Sequence, residues 1–119
     1  LKVTIKKGFR LPEKTARFLF EESEFTGAEV VARLTVPIGL LLEVQELAQS
    51  GNLGVYNRFG EAILQNWNLE DRNGNPLPAN GEGMAQVTTE FANELIKQWL
   101  EAVANPPGPL AEPSTNGST

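Results

Sequence analysis

The stretch Asp71-Arg72-Asn73-Gly74-Asn75-Pro76, with Glu82 beyond it, carries the residue types of a calcium loop. Asp71, Asn73 and Asn75 stand one residue apart, the spacing at which an EF-hand loop presents its first three oxygen ligands. Glu82 falls at the twelfth position, where that loop places its bidentate glutamate. The glycine breaks the match. An EF-hand needs glycine directly after the third ligand, where this chain has Pro76, while Gly74 lies between the second and third. The spacing therefore favours a turn. Asn73-Gly74 suits a tight turn with positive φ, and Pro76 and Pro78 hold an extended exit. A second group, Glu21, Glu22 and Glu24, has the residue type for paired-carboxylate acid–base work. Nothing in the sequence brings an opposing carboxylate to it, and its place at the end of a predicted strand reads as a solvated turn.

The chain of 119 residues contains no histidine and no cysteine. The commonest general base, the commonest transition-metal ligand, disulfides and thiolate metal sites are thereby removed. No nucleophile elbow, phosphate-binding P-loop or dinucleotide glycine pattern occurs. The expectation is a protein that is not an enzyme, with no cofactor and no metal. Hydrophobic residues at 40% and charged residues at 21% suit one globular domain. The net charge of −5 is unevenly laid out. Lys2, Lys6, Lys7, Arg10, Lys14 and Arg17 are six of the ten basic residues, and that segment holds one acid, Glu13. The rest is acidic and should repel nucleic acid, so only the N-terminal residues 1–15 could attract phosphate or an acidic partner, as a basic arm or an edge strand. No apolar run approaches the roughly 20 residues that span a bilayer, and "LKVTIKKGF" lacks the apolar stretch of a signal peptide. Neither nucleic acid nor membrane is an expected partner.

The elements that must position these residues follow from periodicity. Val3 and Ile5 alternate with polar neighbours, predicting a short strand within residues 1–7. "ARFLFEES" and "AEVVARLT" predict a β-hairpin over about 16–35, turning at Gly27, with Val30, Ala32 and Leu34 on one face. Beyond Pro37, Leu40, Leu41, Val44, Leu47 and Ala48 make an apolar stripe, predicting a helix over about 37–50 that stops at Gly51. Tyr56, Phe59, Ile63 and Trp67 recur at three and four, predicting a second helix over about 52–67. Gly60 weakens it unless it permits a close helix approach. A third helix over about 88–104, capped by Thr88 or Thr89, carries Phe91, Leu95, Trp99 and Val103, flanked by Ala92, Ile96 and Leu100. Pro106-Pro107 ends it, and 106–119 reads as a flexible Pro/Gly/Ser/Thr-rich tail. The predicted class is α+β: a hairpin, then a three-helix, bundle-like core within one domain over 16–105.

Trp67 and Trp99 fall on helix stripes, where core is the first reading and contact the second. Leu110, alone and apolar in the tail, is a docking point or a clasp returning to the core. The candidate partner-binding set is Leu41, Val44, Tyr56, Trp67, Trp99 and Leu110.

Three ordered stretches resemble the small tail assembly chaperones of long-tailed bacteriophages and prophages, particularly those of actinobacterial hosts. They are "RFLFEESEFTGAEVVARLTVPIGLLLEVQELA", "WNLEDRNGNPLPANGEG" and "LIKQWLEAVANPPGPLAEPSTNGS", and together they cover about residues 16–119. None contains a catalytic motif. The resemblance implies a chaperone that binds the tape measure protein, a long helical chain, keeps it soluble and recruits tail tube protein around it. It also implies work in the cytoplasm of the infected host and absence from the mature virion. In many such phages a frameshift makes a longer form. A tail or connector component retained in the virion is the alternative. An acidic domain of about three helices could cover apolar stripes on a helical client. If the two central helices hold more apolar surface than one small core needs, client binding or self-association to a homo-oligomer follows.

Overall fold

The computed structural model describes residues 8–21, 23–51 and 53–105, leaving out the side chain of Ala48. The strand expected within 1–7, the tail at 106–119 with Leu110, Glu22 of the acidic group and the side chain of Ala48 therefore lie outside the described residues.

The hairpin forms where alternation places it, with shorter strands than the sequence suggests. β1 (Thr15–Leu19) pairs antiparallel with β2 (Glu29–Arg33), in a register that sets Arg17 opposite Val31 and Phe18 opposite Val30. Phe18, Val30 and Ala32 face inward and are buried, and Leu34 packs beside them. α1 (Ile38–Ser50) starts after Pro37 and closes at Gly51, whose N–H reaches Leu47 O. Leu40, Val44 and Leu47 are its buried stripe, with Leu41 half-buried beside them.

The second predicted helix divides in two. α2 (Leu53–Ala62) covers its first part only, and Leu64–Trp67 forms a strand, β3, antiparallel to β2. The reason is tertiary. β2 has a second edge to satisfy, and Ile63 O takes the Arg33 N–H while Val30 pairs with Trp67. A backbone ladder outweighs the weak helical preference of the Asn66 segment. The three-four spacing of Phe59, Ile63 and Trp67 is thus half helix and half strand. Val31 and Ala32 mark a register irregularity where β3 joins.

A further helix lies inside the segment that reads as a connector. α3 (Gly81–Met84) is one short turn, opened by Asn80, whose Oδ1 accepts the Gly83 N–H at 3.1 Å. Among the described residues there are four helices and a three-stranded sheet in the order β1-β2-β3, an α+β architecture with one helix more than predicted. Gly60 does permit a close approach, to α3: a Cβ there would stand 2.5 Å from Asn80 O. α4 (Thr89–Ala104) is capped by Thr88, whose hydroxyl accepts the Phe91 N–H.

One core joins these elements. Phe91, Leu95, Ile96 and Trp99 of α4 meet the sheet, the α1 stripe, Phe59, Ile63 and Met84. Trp99 is fully buried, lies edge-on to Phe59 at 5.5 Å and donates its Nε1–H to Arg33 O at 2.6 Å. Phe20 stacks on Phe91 at 4.9 Å, and Phe25 meets both rings edge-on. This aromatic trio fastens the hairpin turn to the start of α4, an arrangement that adds about 0.5–1.5 kcal/mol per pair beyond area burial.

Candidate functional site

Asp71 does what the misplaced glycine implies. Its Oδ1 accepts the backbone N–H of Asn73 at 2.8 Å and of Asn75 at 2.9 Å, and Gly74 adopts φ 82°. Gly74 N–H reaches Asp71 O, Asp71 N–H reaches Asn75 O, and Leu77 N–H reaches Leu69 O. The stretch is a small hairpin, bridged by Glu70 and Pro76, with the carboxylate capping its turn. The Asn75 N–H, followed by the other amides of the turn, holds the Asp71 carboxyl below its ordinary range, against a smaller opposing effect of desolvation. Among the described residues no group of three or more carboxylates gathers into a metal-binding cluster. Glu21 and Glu24 are exposed about a turn held by Thr26 and Ser23.

Trp67 anchors the far side of this hairpin. It is half-buried, and its Nε1–H donates to Leu77 O at 2.8 Å. Its ring packs under Gly83, where a Cβ would stand 2.8 Å from the indole and run into Pro78 O. Gly83 is therefore required by contact with the Trp67 ring and the Pro78 carbonyl, and Gly81 by contact with Asn57 and Glu61 of α2.

The predicted partner-binding residues separate by burial. Val44 and Trp99 are fully buried, so they build the core and present nothing to a partner. Trp67 and Leu41 are half-buried against the same core. Tyr56 borders a groove: its hydroxyl donates to Asn93 Oδ1 at 2.8 Å across the gap between α2 and α4. That groove, of about 750 Å³, runs between the end of α1, the start of α2 and the length of α4, with Leu47, Ile96, Leu100 and Lys97 among its walls.

Sequence reasoning missed a second groove and a set of exposed apolar residues. The second groove, of about 720 Å³, lies beyond the hairpin turn, with Phe25, Leu69, Leu77, Val87 and Phe91 on its floor and Glu70, Asp71 and Arg72 at its rim. It is assembled from three segments distant in sequence, so no local pattern announces it. The exposed residues are Ile38, Leu42 and Leu53 on the central helices, at 73%, 57% and 72% exposure, together with Leu19 and, ahead of β1, Phe9 and Leu11. Ile38 and Leu42 are four apart, which a helix stacks on one face. Their signal was present in the sequence as apolar residues lying off the α1 stripe.

Among the described residues three ion pairs tie the surface: Arg17–Glu29 across β1 and β2, Arg33–Glu13, and Arg58–Glu43 between α2 and α1. All are partly solvated and contribute little each. None of the described helices is long and apolar enough to cross a membrane.

Comparison of the chain with protein-family models, with curated proteins and with solved structures finds no match.

Proposed function

We propose that this chain is a non-enzymatic tail assembly chaperone of a long-tailed bacteriophage. It binds the tape measure protein, keeps that helical chain soluble, and promotes assembly of tail tube protein around it. It works in the cytoplasm of the infected host and leaves before the virion is complete. The observation that carries the reading is the apolar surface left on the two central helices after the core has closed. Ile38, Leu42 and Leu53 remain open to water, and a separate groove bordered by Tyr56 opens at the end of α1. Helical clients dock by laying an apolar face against such a surface, and a chaperone needs its binding surface free until the client arrives. The three stretches that resemble this family supply the identity of the client.

Co-expression tests the proposal. The full chain should raise the soluble fraction of the tape measure protein encoded beside it and co-purify with it. Ile38→Ser with Leu42→Ser should remove that rescue while leaving the melting temperature of the chain unchanged. No rescue and no complex with wild-type chain would refute the reading. Stoichiometric presence of the chain in purified particles, measured by mass spectrometry, would replace it with a structural tail or connector role.

A further inference from the structure

The described N-terminal segment holds an unusual combination. Phe9 is 82% exposed and Leu11 71%, with Arg10 between them, in the irregular chain leading to β1. Two large apolar side chains flanking a guanidinium, all facing water, have the chemistry of an anchor without a seat. The second groove has the complementary chemistry: apolar Phe25, Leu69, Leu77, Val87 and Phe91 line it together with the carboxylates of Glu70 and Asp71. Among the described residues that line it, Arg72 is the one cation.

The anchor cannot use the groove of its own chain. Lys14 is fixed at one end of the hairpin, its O accepting the Leu34 N–H and its N–H reaching Thr35 Oγ1. Phe20 pairs with Ala28 at the other end, where the aromatic trio leads into the groove. The six steps of strand between Lys14 and Phe20 span about 20 Å. Leu11, three residues from Lys14, reaches at most about 10 Å even when folded straight back, and Phe9 about 17 Å. Leu11 does not arrive even with its side chain extended, so Phe9 and Leu11 together cannot be seated within one chain.

We infer that the Phe9-Arg10-Leu11 arm of one copy of this chain seats in the acidic-rimmed groove of a second copy, with Phe9 and Leu11 on the Phe25–Leu77–Phe91 floor and Arg10 against Glu70. This is a contact between different patches, so reciprocal exchange closes a dimer and successive exchange extends a chain. It uses a face other than the Ile38–Leu42 surface and does not depend on the client reading.

Sedimentation velocity of the full chain over a concentration series tests the inference. The wild-type chain should associate, and more weakly as salt rises, because the Arg10–Glu70 pair lies at a solvated rim. Phe9→Ser with Leu11→Ser should weaken association by about tenfold or more. Circular dichroism should show the same fold, since both side chains are exposed. R10E alone and E70R alone should each weaken association roughly threefold to tenfold. An equimolar mixture of R10E and E70R should recover it, because each arm then meets a groove of opposite charge. A chain monomeric at every concentration overturns the inference and leaves the groove to a different partner. Association untouched by the Phe9 and Leu11 substitutions, or single-variant losses without recovery on mixing, overturns it equally.

Discussion

Replacing Trp99 by phenylalanine tests how the sheet and α4 are joined. The indole is fully buried, and its N–H is the hydrogen-bond donor to Arg33 O at 2.6 Å, at the end of β2. Phenylalanine keeps the edge-on contact with Phe59 but cannot donate. A partly buried carbonyl left without a partner costs about 1–3 kcal/mol. The missing ring atoms leave a small void, adding about 1 kcal/mol. The sum, about 2–4 kcal/mol, is a large share of the roughly 5–15 kcal/mol that holds a domain together. Trp67→Phe is the matched control. It deletes the same kind of bond, to Leu77 O, but at a half-buried ring where water can replace the donor, so about 1 kcal/mol is expected. Urea unfolding followed by far-ultraviolet circular dichroism reads both, with a midpoint shift and an unchanged slope. A loss below about 1 kcal/mol for Trp99→Phe, or a loss no larger than for Trp67→Phe, would refute the argument.

Gly83→Ala should destabilise by about 1–3 kcal/mol, measured by thermal melting, because its Cβ meets the Pro78 carbonyl and the Trp67 ring. Thr88→Ala removes the hydroxyl that caps α4 and should cost about 1 kcal/mol in the same assay. The Asp71 carboxyl has a depressed folded pKa, so its contribution is fully present above the ordinary aspartate range and is lost as pH falls through the folded value. Unfolding midpoints of wild type and Asp71→Ala, compared from pH 7 down to about pH 3, should therefore converge on the acid side. A constant gap across that range would refute the role of the ionised carboxylate.

Where one periodicity ruled a segment, the fold was legible in the residues. Val30, Ala32 and Leu34 alternate, and they do face one side of the sheet. Phe91, Leu95 and Trp99 recur at four, and they do line the buried face of α4. Thr88, Gly51 and Gly74 cap and turn the chain as their chemistry requires. β3 was not legible. Leu64–Trp67 is four residues long, too short to show alternation, and it is a strand because β2 offers an edge. α3 hid in glycines that exist for close contact with Trp67 and α2. Of the partner-facing candidates, Val44 and Trp99 proved to be core because an apolar stripe marks burial, and burial is the opposite of availability. Phe9 and Leu11 sat in view between Gly8 and Pro12, where breakers signal that no element will cover them.

The chain's two tryptophans occupy unlike surroundings, Trp99 sealed in the centre and Trp67 half-open beneath the glycine turn. They make the protein its own pair of optical probes. Ultraviolet emission from Trp99 should be blue-shifted and shielded from aqueous quenchers, while emission from Trp67 should be redder and quenchable. In W67F the remaining light follows the core, and in W99F it follows the connector. Loosening of the glycine turn can then be watched separately from collapse of the whole domain, without attaching a dye.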